Sequence, residues 1–191
     1  MSDIEKMTQK SQEAMQAAAR LAEERHHSAV EPEHLAFEIL RQDDGIVPRV
    51  LARMSVNAQT LGQDLERRMA NLPTITGEGV RVVASPVLQR VFLEAEKNAT
   101  ALGDSFISTE HFILAMLKAA APEVQKIFER QRVSAQAFQT TLTELRGNQK
   151  VTDDNPEAKF DVLAKYARDL TELAEQGSSI RSWAVKKRFA V

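Results

Sequence analysis

Histidines beside carboxylates are the residues of this chain with the most chemical potential. His34 and His111 each follow a glutamate, as Glu33-His34 and Glu110-His111, and His26-His27 stand together. Imidazole next to carboxylate is the material of a metal site or of an acid–base pair. Neither His34 nor His111 has a second histidine four residues on, so no metal site is expected from them. His26-His27 is expected to be a surface loop pair. Serine, histidine and aspartate are all present, yet no serine lies in a nucleophile elbow, so no catalytic residue is expected. No glycine is followed by lysine, so the sequence carries no phosphate-cradling loop, and no cofactor is expected.

The bulk properties exclude further classes. There is no cysteine, which rules out disulfides and thiolate ligation and fits a reducing cytoplasm. The net charge is −2, so no general polyanion-binding surface is implied. The cluster Lys186-Lys187-Arg188 lacks a basic helix face, and no nucleic acid is expected. The opening Met1-Ser2-Asp3-Ile4-Glu5 lacks a signal peptide, and the run from Phe112 to Leu117 is too short to span a bilayer; no membrane partner is expected.

What must position the two Glu-His pairs is a duplication. Val30-Glu31-Pro32-Glu33-His34-Leu35 returns as Ile107-Ser108-Thr109-Glu110-His111-Phe112, at an offset of 111 − 34 = 77 residues. The same offset carries Ser55-Val56-Asn57-Ala58-Gln59 onto Arg132-Val133-Ser134-Ala135-Gln136 with no gap. A register kept this long implies two copies of one packing unit.

Each copy spells four helices and no convincing strand. Thr8 is a suitable N-cap, followed by a stripe of Ala14, Met15, Ala18 and Ala22. Ser85-Pro86 is its counterpart, followed by Val91, Phe92, Ala95 and Ala99, with Gly103 suited to end the helix. A short apolar helix follows in each copy, over 32–41 and 109–118, and should lie between others. A third helix holds Val47, Val50 and Leu51, matched by Val124, Ile127 and Phe128. A fourth holds Ala58, Leu61 and Leu65, matched by Ala135, Phe138 and Leu142. The expected fold is all-α: two pseudo-symmetric four-helix repeats, stacked, plus a C-terminal helix whose stripe runs from Phe160 to Leu173.

Two apolar residues fall off the buried stripe. Leu93 answers to Gln16, and Val87 to Lys10. Either they pack under the loop that joins the copies, or they belong to an exposed apolar groove on the second copy that suits extended polypeptide.

Thr8 ahead of an alanine-rich helix, Glu31-Pro32-Glu33-His34-Leu35, Leu72-Pro73 and Gly103-Asp104-Ser105-Phe106-Ile107-Ser108-Thr109-Glu110-His111-Phe112 together resemble the Clp N-terminal domain. The form is most similar to that of the ClpB-type hexameric, ATP-driven disaggregases; Gly103-Asp104-x-Phe106-Ile107-Ser108 and the joining loop favour it over the ClpA and ClpC branches. The resemblance continues through Lys165-Tyr166-Ala167-Arg168-Asp169-Leu170-Thr171-Glu172-Leu173-Ala174, which in the family leads into the first ATPase module. It implies a monomeric recognition domain, itself without ATPase activity, that engages unfolded or aggregated polypeptide and works with the ATPase modules of a full-length hexamer. The rival is an adaptor-binding regulatory module, as in the ClpA and ClpC branches. The resemblance marks Thr8, Asp104 and Glu110 as positions that matter for substrate, either through binding or by holding the fold. Along the family's groove fall Val87, Val91, Leu93, Asn98 and His111, with Asn98 and His111 polar where apolar residues are expected.

The organisation expected is therefore a domain over 1–146, with repeat one at 4–72, a joining loop at 71–84 and repeat two at 85–146. A linker and ATPase lead-in follow at 147–177, then a disordered tail at 178–191. The resemblance stops at Gly177. Removing one adenine from the lysine codon of a family-like Gly-Lys-Leu-Asp-Pro-Val-Met-Gly-Arg-Glu-Glu-Glu-Ile-Arg-Arg coding run yields the tail Ser178–Val191 in the shifted frame. That tail is expected to be a frameshift product.

Overall fold

The computed structural model describes residues 3–75, 82–147 and 149–156. The expected helix over 160–173 and the tail from Ser178 lie outside these residues. Within the unit Met1–Asn155, a 3-10 turn at Asp3–Lys6 leads into α1 (Gln9–Glu24), β1 (Ala29–Val30), α2 (Pro32–Leu40), α3 (Ile46–Arg53) and α4 (Ala58–Met69). The second copy supplies β2 (Val83–Ala84), α5 (Pro86–Leu102), α6 (Thr109–Ala119), α7 (Pro122–Arg130) and α8 (Ala135–Arg146). None of these helices is long and apolar enough to cross a membrane.

The duplication persists in the backbone. Thr8 caps α1 by accepting from Ser11 N–H, and Ser85 caps α5 by accepting from Leu88 N–H. Both helices end on a left-handed residue, His26 at φ 54° and Gly103 at φ 72°. The following N–H closes the turn in each, His27 to Ala22 O at 2.9 Å and Asp104 to Ala99 O at 2.9 Å. Ser55 and Arg132, also matched by the offset, share φ values of 59° and 60°.

The core is built from the helical stripes read from the sequence. Ala14, Ala18, Ala22, Val91 and Ala95 are buried on the inner faces of α1 and α5, and Val47, Val50, Leu51, Val124, Ile127, Phe128, Leu61, Leu65, Phe138 and Leu142 on those of the other helices. In α6 every residue from Thr109 to Met116 is buried, because neighbours cover it on all sides. Each fully buried Leu or Phe contributes about 1.5–3 kcal/mol of transfer free energy.

The halves interlock rather than stack. β1 of the first copy pairs in parallel with β2 of the second, Ala29 opposite Val83 and Val30 opposite Ala84. Its symmetry mate is the parallel bridge between Met7 and Ile107. Thr8 N–H donates to Ile107 O and Ser85 N–H to Val30 O, both at 3.0 Å. Helices follow the same exchange, with α3 against α8 and α4 against α7, while α2 and α6 meet at the centre. Strands were not expected; these are two residues long, too short to leave an alternating pattern.

Two further expectations need correction. Residues 149–155, expected as the start of a linker, are packed on the domain: Val151 is fully buried, and Ser105 N–H donates to its carbonyl at 2.8 Å. His27, expected at the surface, is only 4% exposed. The tight turn after α1 swings its ring inward while His26 stays exposed.

The matched turns give a paired expectation. A non-glycine residue in the left-handed region is strained by about 1–2 kcal/mol, part of which glycine returns as chain entropy. His26→Gly is therefore expected to raise stability by up to about 1 kcal/mol. Gly103→Ala is expected to lower it by roughly 1 kcal/mol or more, by the same strain, and the added Cβ also meets Lys150 Nζ at 3.0 Å. Urea midpoints at constant m-value measure both, and the reverse order would contradict the match.

Candidate functional site

The groove starts from the two helices that begin at the crossed strands. α1 packs on α2 and α5 on α6, which leaves a furrow of about 380 Å3 bordered by both α1 and α5. It is lined by Met7, Met15, Ala84, Leu88, Gln89, Phe92 and Leu93. The repeat offset pairs Met7 with Ala84 and Met15 with Phe92, so the pseudo-two-fold axis runs through the furrow. The apolar groove expected on the second copy is thus shared by both copies. It leans toward α5 because Leu88 and Leu93 stand where α1 has Ser11 and Gln16.

Its surface is apolar and reachable. Leu93 is 58% exposed, and Ala84 and Gln89 on its border are exposed as well. Phe92 is half-buried, its ring 5.7 Å from that of Phe112 beneath it. Gln12 and Gln89, matched by the offset, donate side-chain amides to Met7 O and Ala84 O at 3.0 and 3.1 Å. A cleft of about 330 Å3 between the ends of α5 and α8 is lined by Leu102 and Leu142 together with Thr143, Arg146, Gln149 and Lys150, so two cations and two further polar side chains face any ligand there.

The remaining residues named from the sequence lie elsewhere. Val87 is half-buried on the first turn of α5, outside the furrow lining, and Val91 is fully buried under the helix. Asn98 is buried, donating to His111 O at 3.4 Å and accepting from Lys118 at 2.8 Å. Thr8 is buried at its cap, with its hydroxyl on Ser11 Oγ at 3.1 Å. Asp104, Glu110 and His111 form an interior cluster with Arg146.

That cluster is built around Asp104, whose side chain is fully buried. It accepts from His111 Nε2 at 2.9 Å, from Arg146 at 2.8 and 2.9 Å, and from Val151 N–H at 2.8 Å. His111 Nδ1 in turn accepts from Ser108 N–H at 3.0 Å, reaching back to the start of its own helix as a capping box does. Arg146 also meets Glu110 at 3.4 Å. Burial raises the Asp104 carboxyl, but the bonds from His111, Val151 and Arg146 outweigh it and hold the group below its ordinary value.

The first copy builds the same site without the carboxylate. His34 Nδ1 accepts from Glu31 N–H at 2.9 Å, and His34 Nε2 lies 2.7 Å from His27 Nδ1. His27 holds the position matched to Asp104. The Glu31 bond occupies Nδ1, so the His34 proton sits on Nε2 and points at His27. Burial, then the charge of His27, lowers His34 to about 4; burial and Arg25 lower His27 as well. Glu33, matched to Glu110, pairs with Arg68 at 3.2 Å, and burial pushes its carboxyl up. Among the described residues no cluster of three or more His, Cys, Asp or Glu is arranged to hold a metal.

Sequence reasoning placed Met15 and Phe92 in the stripe of their helices and passed over Met7 and Leu88. The offset relates Met7 to Ala84 and Met15 to Phe92, but that these four border one furrow shows only in space. Arg146 gave no signal, because its match is the apolar Met69.

The family model for the Clp repeat N-terminal domain matches residues 6–131. The chaperone protein ClpB of Bdellovibrio bacteriovorus is 52% identical over 171 residues, covering 90% of this chain and 20% of that protein. The chain spans about a fifth of the length of the curated relatives it matches. The N-terminal domain of Hsp104 from Candida albicans superposes with a TM-score of 0.70 at 19% identity, over 79% of this chain and 98% of that one. A ClpV N-domain in complex with VipB peptide gives 0.58 at 20% identity, over 74% and 90% of the two chains.

The histidine pair fixes a pH response. A histidine whose folded value lies below its unfolded one binds its proton more readily in the unfolded chain. Its stabilisation is complete above about pH 6.5 and is lost as pH falls toward 4. The loss from His34 is on the order of 3 kcal/mol. His34→Gln retains a side chain that can reach Glu31 N–H and removes the titration. Thermal melts from pH 7 to 4.5 should show a flatter slope for this variant, and an unchanged slope would contradict the assignment.

Proposed function

Since the chain belongs to the Clp repeat N-terminal domain family, we propose that it is the substrate-recognition domain of a ClpB-like, ATP-driven disaggregase and takes unfolded or aggregated polypeptide into the groove between α1 and α5. The observation that carries this reading is the exposed apolar furrow on the axis of the repeats. Leu93, Leu88, Phe92, Met7 and Met15 offer apolar contact without a charge at the floor. Methionine is flexible and polarisable, so such a wall accepts many side-chain shapes. Loose chain segments that share only apolar character are the ligand this chemistry suits. ATP hydrolysis belongs, on this reading, to modules of the longer relatives, in a hexamer that this domain supplies with substrate. Thr8, Asp104 and Glu110 act here by holding the frame of the groove, since each is buried and engaged with the fold.

The peptide-bound ClpV N-domain favours a second reading, in which the same fold holds one specific partner. Binding separates the two. A reduced, carboxymethylated lactalbumin, which stays unfolded, is expected to bind weakly. Leu93→Ser should cut that affinity about tenfold, the worth of one partly buried leucine. Leu145→Ser, on α8 and 37% exposed, removes an apolar side chain away from the furrow and should leave affinity unchanged. Indifference to the unfolded chain, with tight binding of one folded protein, would replace the first reading by the second.

A further inference from the structure

The two copies hold the segment that follows their fourth helix in different ways. After α4 the hold is backbone to backbone: Ser28 N–H donates to Pro73 O at 2.9 Å, and Ile75 N–H to His26 O at 2.8 Å. After α8 only half of that pattern remains. Ser105 N–H donates to Val151 O at 2.8 Å, but the return bond runs from Val151 N–H to a side chain, Asp104 Oδ1, at 2.8 Å. Arg146 and His111 orient that carboxylate from the other side. Further along, Gln9 N–H donates to Asp154 O at 2.7 Å, and the Gln9 side-chain amide to Asp154 Oδ2 at 3.1 Å.

We infer that Asp104 and Arg146 form a latch that straps residues 149–154 to the domain, so that the chain departs beside the first turn of α1. The bonds that hold residues 149–154 all lie outside the helix ladders, and the Val151 N–H is held by a single carboxylate, so the strap can open without disturbing a helix. The strap is thus a separately releasable unit, set where the domain meets whatever follows it. Its position also matters for the groove, because Gln9 follows Met7 and Thr8 at the start of α1. Asp104 and Arg146 are positioning residues in this arrangement and touch no ligand.

The first copy supplies the test, because it fills the same site without the carboxylate. Asp104→His with Arg146→Met reproduces His27 and Met69, and Leu145→Arg gives Glu110 the partner that Arg68 gives Glu33. Residue-resolved hydrogen exchange on the full 191-residue chain is the readout. In the triple variant the Val151, Ser105 and Gln9 amides should exchange at least about tenfold faster, while Ile39 and Ile113 in the central helices stay within about twofold. Wild-type protection at Val151 would overturn the latch. Equal acceleration at Val151 and Ile113 would also overturn it, by making the pair ordinary core residues. If the triple variant does not fold, Asp104→Asn decides. Faster trypsin cleavage after Lys150 with unchanged protection at Ile113 supports the latch, and an unchanged cleavage rate or a joint loss of protection refutes it.

Discussion

Two backbone hydrogen bonds, Thr8 N–H to Ile107 O and Ser85 N–H to Val30 O, constrain everything else in this fold. Each ties the start of one copy's first helix to the strand before the other copy's apolar helix. Neither copy can place its own α1 or α5 without the other. Once the crossings form, α2 and α6 face each other at the axis and α3 and α4 are set against α8 and α7. The exchange also satisfies a polar side chain beside one crossing, where Ser85 Oγ donates to Glu31 Oε2 at 2.7 Å. The furrow between α1 and α5 is a by-product of this arrangement. Both helices start at the crossings and pack downward on their own partners, which leaves their shared flank open.

The duplication has diverged most in charge. One position is His27 in the first copy and Asp104 in the second, each bonded to the ring nitrogen of the matched histidine. The first pair is neutral and self-contained. The second draws in Arg146, Glu110 and the N–H of Val151, and so ties the helix start, the α5–α6 turn, the end of α8 and the strap into one group. One carboxylate, Asp104, serves three donors there, so it has a structural role whether or not it ever meets a ligand.

Most of the local structure was legible in the residues. The offset located both sets of helices, Thr8 and Ser85 marked their starts, and Gly103 marked a left-handed end. These features depend on neighbours in sequence. The crossing was not legible, because it rests on strands of two residues whose partners lie far along the chain. His27 was misplaced for a related reason: its loop reads as polar, and only the turn after α1 reveals that the ring points inward. The groove was legible in part. Leu93 betrayed itself as an apolar residue off the stripe, but Met7 and Met15 do so only when the two copies are laid over each other in space. Arg146 left no trace, since a charge whose repeat mate is Met69 looks like an ordinary helix terminus.

The crossing is tested most directly by making residues 3–75 alone and following helicity and mass on heating. Without the Ile107 carbonyl and the second copy's helices, the monomeric fragment should show no cooperative unfolding transition, and any folded form should be a dimer that restores both crossings. A monomeric fragment that is helical and melts cooperatively would contradict the interlocked fold and the groove built upon it.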